Sequence, residues 1–178
     1  VQRNYKSRDA NCLRLQEMLL TQTYNASQED VVTIDEPKER QIFRLPYFPD
    51  RITHHAIRNV LEPIWVSVFT NDTYSCIKNR GIHAAAKRVK YDLKTDPEGT
   101  IYCLKIDVRK FYPSIDHDIL KQVIRRKIKD KRLLWLLDEI IDSADGVPIG
   151  NYLSQYFANL YLAYFDTWLQ EVKTDRYF

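Results

Sequence analysis

The stretch Tyr102–Asp116, "YCLKIDVRKFYPSID", decides how this chain is read. An apolar run, Ile101–Ile106, has the composition of a β-strand and leads straight into Asp107. A basic pair, two aromatics and a proline follow. A strand that ends on an aspartate sets a carboxylate at a sheet edge, where hard cations such as Mg²⁺ are held by one or two carboxylates together with substrate phosphates. A strand-end Asp can equally cap a turn or pair with Lys105 or Arg109, and local reasoning alone favours that plainer role.

Val108–Lys110 reads as a turn whose backbone N–H groups could face a phosphate. Arg109 and Lys110 add positive charge there, as a solvated basic turn would also do. Phe111 and Tyr112 bring aromatic surface that suits either a nucleotide sugar or ordinary packing.

Outward from this stretch, the chain mixes helices with β-type runs. Arg8–Tyr24 suits a short helix. Val31–Ile34 and Gln41–Leu45 flank a charged turn at Glu36–Arg40 and predict an antiparallel hairpin. Pro49 and Asp50 open a helix with Ile52, Ala56, Ile57, Val60 and Leu61 on one face, and Pro63 disturbs its end. A basic helix follows Gly81, and Asp96–Gly99 is a turn. Asp116 is a good N-cap for "HDILKQVIRRKI", and "DKRLLWLLDEIIDS" is a further amphipathic helix. Asp145–Gly150, "DGVPIG", is a tight loop before a long helix that starts near Asn151. The expected fold class is α+β.

Composition bounds the function without naming it. The 178 residues are 44% hydrophobic, enough for one core or two small lobes. The net charge is +3 and the pI about 8.7, a mild pointer to nucleic acid. No apolar run nears the ~20 residues of a membrane span. No signal peptide is visible, and the chain does not begin with Met, so a processed or trimmed piece is expected. Cys12, Cys76 and Cys103 are widely spaced and read as free thiols in a reducing, cytoplasmic setting. His54, His55, His83 and His117 lack metal-ligand spacing.

Four blocks, in order, then carry a resemblance over most of Glu36–Asp166. "KIDVRKFYPSIDHDIL" resembles the first palm motif of reverse transcriptases, and "GVPIGNYLSQYFANLYLAYFD" resembles the second. "EPKERQIFRLPYFPDRITHHAIRNVLEPIW" is similar to their first fingers block. "YSCIKNRGIHAAAKRV" is similar to the next, with the Tyr74, Cys76, Arg80, Gly81 and His83 spacing common in bacterial members.

The resemblance implies a right-hand polymerase. Residues 1–27 would be an N-terminal helical extension, 28–100 and 114–149 fingers, and 101–113 and 150–178 part of the palm. The rest of the palm and the thumb would be absent. It implies that Asp107 is catalytic and binds two Mg²⁺ ions (Mn²⁺ as an alternative), with the Val108 carbonyl completing one metal's shell.

Lys38 and Arg40 on the fingers hairpin, the turn residues Arg109, Lys110, Phe111 and Tyr112, and Ile149 and Gly150 would meet the dNTP, with Tyr112 as the steric gate against a 2′-OH. Gly146, Pro148, Ser154, Gln155, Arg51, Lys87 and Arg88 would meet template or primer. The basic residues Lys121, Arg125, Arg126, Lys127, Lys129, Lys131 and Arg132, with Lys78, Arg80 and Lys90, would line the template track, although such runs are commonly solvated faces.

One departure sharpens the subtype. Many relatives have Gln-Gly followed by Ser-Pro; here Ile149-Gly150 is followed by Ser154-Gln155. That combination is similar to the error-prone reverse transcriptases of diversity-generating retroelements. Ile149 removes a side-chain amide from the nascent pair, and weaker polar positioning loosens discrimination. The partners implied are an RNA template, a DNA or RNA primer, dNTPs and a small basic accessory protein, with no membrane.

The family's two remaining metal acids lie in a Tyr-x-Asp-Asp hairpin, expected where this chain reaches Tyr177-Phe178. Asp145, Asp166 and Asp175 do not match that pair, so the fragment alone is expected to be inactive. Retron, group II intron and defence-associated reverse transcriptases are near alternatives. A non-catalytic RNA-binding scaffold is the alternative from another class.

Overall fold

The computed structural model describes residues 8–27, 30–34, 40–148 and 150–173. Six helices of eleven residues or more dominate them: α1 (Arg8–Leu20), α2 (Ile52–Val66), α3 (Ile82–Thr95), α4 (His117–Lys127), α5 (Lys131–Ile141) and α6 (Ser154–Trp168). The only sheet among the described residues is β1 (Asp30–Ile34) paired antiparallel with β2 (Arg40–Arg44). Asp30 faces Arg44, and Ile34 faces Arg40, within one residue of the expected bounds. Lys38 lies outside the described residues. The described residues are therefore mostly helical, and the expected balance of strand and helix is corrected.

The reason lies in residues 101–106. They form no regular element and pair with nothing among the described residues, and every side chain from Ile101 to Lys110 is exposed. Tyr102 is 93% and Leu104 85% exposed. Apolar composition makes a segment able to enter a sheet; a strand exists only when a neighbour satisfies its N–H and C=O groups.

The core is built from the central helix outward. Tyr156, Phe157, Ala158, Leu160 and Ala163 are buried on α6. α4 adds Leu120, Val123 and Ile124, and α5 adds Leu136, Leu137, Ile140 and Ile141. The Trp65 ring of α2 meets Tyr156 and Phe157 with centroids 5.6 and 5.9 Å away. Helix starts follow the sequence: Asp116 accepts from the Ile119 N–H at 2.9 Å, and Asp130 from the Leu133 N–H at 2.8 Å. Each side-chain oxygen satisfies a donor that the first turn leaves open.

On α2 the buried stripe is Thr53, His54, Ile57, Leu61 and Trp65, while Val60 and Ala56 are exposed. The expected face is thus rotated. It turns because two polar residues go inside. The Thr53 hydroxyl donates to the Pro49 carbonyl at 2.9 Å, and His54 sits next to Asp50, which is 0% exposed. The Asp50 carboxylate accepts from the Tyr24 hydroxyl at 2.6 Å and the Ser27 N–H at 3.2 Å, fastening the segment after α1 to the start of α2. Pro63 stays within the helix. No helix among the described residues is long and apolar enough to cross a membrane.

Candidate nucleotide and nucleic-acid site

The site begins where the two quoted palm blocks meet. Lys110 turns the chain through a positive φ of 51°, and Tyr112–Ser114 form one tight helical turn. The Tyr112 carbonyl then accepts the Val147 N–H at 2.9 Å, joining the turn to the Gly146–Pro148 loop. Gly146 has φ +64°, and a Cβ there would lie 2.6 Å from the Tyr112 carbonyl oxygen. Glycine is required by both conformation and space.

His117 holds the same loop from α4. Its Nε2 lies 2.8 Å from the Gly146 carbonyl, and its Nδ1 lies 3.3 Å from Asp142. The Lys121 ammonium also donates to Asp142 at 2.6 Å.

Tyr112 is half-buried with its ring against Phe111, which in turn meets Tyr161 of α6. Burial pushes the Tyr112 phenol above its ordinary value, the Cys76 thiol adds to this, and a hydrogen bond from Gln155 opposes it. Gln155 is held in turn: the Ser75 hydroxyl donates to its Oε1 at 3.3 Å. Two further α6 side chains grip the same loop. Asn159 donates to the Ser75 carbonyl at 2.9 Å, and the Tyr156 hydroxyl contacts the Cys76 carbonyl at 3.3 Å and Glu62 at 2.7 Å. Residues from all four sequence blocks therefore converge.

Between them lies a cleft of about 250 Å³ lined by Arg58, Cys76, Gly150, Asn151, Tyr152, Gln155 and Tyr156. Gly150, at φ 115°, forms part of its wall.

Other expected residues are placed differently. Asp107, Val108 and Arg109 lie on the exposed segment, and no group of three His, Cys, Asp or Glu side chains among the described residues could hold a metal. A hard cation takes six or more oxygens, so the donor set around Asp107 does not by itself fit a two-ion centre. Ile149 and the Arg40 side chain lie outside what the structure describes. Ser154 is buried, its hydroxyl donating to the Pro148 carbonyl at 2.5 Å, so it closes the loop.

Lys87 is exposed on α3, and Arg88 pairs with Asp92 at 2.8 Å. Much of the later basic cluster is engaged within the bundle: Lys121 on Asp142, Arg125 on Asp138, and Arg126 over the Tyr164 ring at 4.3 Å.

Sequence reasoning gave no binding or positioning role to His55, Arg58, Cys76, His117 or Tyr152. The signal for two of them was present. Arg51, His55 and Arg58 follow an i, i+4, i+7 spacing, which lines one face of a helix.

No family model matches the chain. It is similar to curated proteins from bacteria and a plant. Protein YkfC of Escherichia coli is 31% identical over 140 residues, 71% of this chain and 36% of that protein. Group II intron-encoded protein LtrA of Lactococcus lactis is 26% identical over 76% of this chain and 24% of its own length. Nuclear intron maturase 1, mitochondrial, of Arabidopsis thaliana is 22% identical over 56% of this chain and 14% of its own.

Two of these relatives are named as an intron-encoded protein and an intron maturase. That supports the reverse-transcriptase resemblance at low identity and at the level of the family only. The chain spans about a third of the first of these relatives and a quarter of the second.

Proposed function

We propose that this chain is the fingers and part of the palm of an RNA-directed DNA polymerase. The observation that carries the reading is the meeting of the two palm blocks: the Tyr112 carbonyl receives the Val147 N–H, and Gln155 faces the Tyr112 hydroxyl. In this reading, residues 28–100 and 114–149 are fingers, and 101–113 and 150–178 are palm.

Tyr112 stands beneath the sugar of an incoming dNTP and excludes a 2′-OH by contact. Arg109 and Lys110 attract its phosphates. Arg is suited to that work because its planar fork matches phosphate oxygens. Asp107 is one of several acids that hold Mg²⁺, and it does not make that centre alone.

The test is primer extension on an RNA template. The longer protein should give product that Asp107→Asn abolishes, and this chain alone should give none. Product from this chain, or from the Asp107→Asn protein, overturns the reading. In the longer protein Tyr112→Ala should raise ribonucleotide incorporation by about an order of magnitude, the scale set by one lost steric contact. Unchanged dNTP-to-rNTP selectivity removes Tyr112 as the gate.

Ile149 with Ser154-Gln155 favours the error-prone enzyme of a diversity-generating retroelement, working with a small basic accessory protein. The names of the relatives favour a second reading, an intron-encoded enzyme. Copying errors concentrated at template adenines support the first. Errors spread over all four bases, with faster splicing of a host intron, support the second.

A further inference from the structure

We infer that Tyr152 is a stacking platform for one unpaired base of a single-stranded RNA, with Arg51 and Arg58 set to meet its phosphates. The inference rests on the polymerase reading and names the residues that would hold its template.

Tyr152 sits two residues after Gly150, at the rim of the 250 Å³ cleft, and is 41% exposed. Side chains from α2 and the turn before it fix its ring. The His55 ring meets it edge-on with centroids 5.6 Å apart. The Arg51 guanidinium lies 5.7 Å from the ring centroid and donates to the Tyr152 hydroxyl at 3.5 Å. Arg58 packs over the neighbouring Tyr156 ring at 5.8 Å and lines the same cleft.

Two aromatics, each flanked by an arginine, thus border one opening. Among the described residues no carboxylate lies within ion-pairing distance of Arg51, and Arg58 shares Glu62 at 3.4 Å.

This is the chemistry of single-strand binding. Unstacked bases lie on aromatic faces and on guanidinium planes, while positive charge follows the backbone. Duplex stems offer no free base face to such a site. The cleft of about 250 Å³ has room for one base of a strand. Sequence-independent stacking suits a template whose every base must pass.

The experiment measures binding of a single-stranded RNA oligonucleotide to the full chain by fluorescence anisotropy. Tyr152→Ala should weaken binding about 10-fold or more, the effect of losing one base–aromatic stack. Tyr152→Phe keeps the ring and should bind within about 3-fold of the original, since only the weak hydroxyl contact goes. Arg51→Ala should lower the salt dependence by about one phosphate contact, which Tyr152→Ala should leave unchanged.

An abasic site is moved along the oligonucleotide as an internal check. One position should cost the original chain as much as Tyr152→Ala does, and should cost the Tyr152→Ala chain nothing further. Equal binding by Tyr152→Ala, or equal loss in Tyr152→Ala and Tyr152→Phe, overturns the platform and leaves the polymerase reading standing. A chain that binds no RNA overturns the platform as well; the Asp107 assay then decides separately whether the polymerase reading falls with it. Thermal melting should fall modestly for Tyr152→Ala, which gives up the ring contacts of His55 and Arg51, and stay unchanged for Tyr152→Phe, which keeps them, so binding is compared at a temperature where every variant is folded.

Discussion

Gly146→Ala should destabilise the chain by about 3 kcal/mol, through overpacking and a left-handed backbone together. An added Cβ would lie 2.6 Å from the Tyr112 carbonyl oxygen and 2.7 Å from both the Cα and the carbonyl oxygen of Pro113. All three are backbone atoms, so no side chain can swing aside. The φ of +64° adds its own penalty for any residue with a Cβ.

Relief requires the two segments to part, and parting breaks the Val147 N–H bond to the Tyr112 carbonyl and the contact of His117 with the Gly146 carbonyl. For a chain of this size the melting temperature should fall by roughly 10 °C. Gly81→Ala is the comparison. Nothing lies within 4 Å of its Cβ position, and its φ is −102°. It starts α3, where Ala is a poorer cap than Gly, but Ala also restricts the unfolded chain; the balance should stay within about 1 kcal/mol. Equal melting of both variants would show that the loop moves freely from the Tyr112 turn. The same substitution bears on function, because the atoms it displaces belong to Tyr112, the residue assigned as the sugar gate, and to Pro113 next to it.

What could be read in the sequence was what is decided locally. α4 starts where Asp116 can cap it, and the amphipathic pattern marked α5 as a helix. The Asp145–Gly150 loop was legible because Gly146 and Pro148 leave few conformations. The run from Ile101 to Ile106 was misread for a physical reason: strand composition is local, but a ladder needs a neighbour, and none of the described residues supplies one.

The α2 face was misread because hydrophobicity cannot say that the polar residues Asp50, Thr53 and His54 go inward. The candidate site divides in the same way. Tyr112, Gly150 and Gln155 came from the resemblance, and the structure brings them to one place. Tyr152 carried no local signal, since a lone tyrosine after a glycine loop is ordinary. It became distinctive only when α2 folded His55 and Arg51 onto its ring.

His54, buried on α2 near Asp50 of the preceding turn, leads to the second large expected effect, a loss of stability on mild acidification. His54 is buried, with its Nε2 enclosed and without a hydrogen-bond partner, beside a cavity of about 10 Å³ that also meets Ser143 and Ser154. Burial lowers its pKa to about 4, against the opposing pull of the Asp50 carboxylate. The ordinary value of about 6.5 applies once the chain unfolds.

The sign follows from proton counts. Between pH 6.5 and 4 the unfolded chain binds a proton at this histidine and the folded chain does not, so stability falls as pH falls. The contribution is intact above about pH 6.5 and is lost by about pH 4. The full difference is on the order of 3 kcal/mol, from 1.36 kcal/mol per pKa unit. Urea unfolding across this range should therefore show a steeper acid loss in the original chain than in His54→Gln, which has no proton to gain. Carboxylates elsewhere titrate in both proteins, so the difference between the two curves isolates His54. Parallel curves would mean that the ring takes up its proton while folded, and that Asp50 outweighs burial at this position.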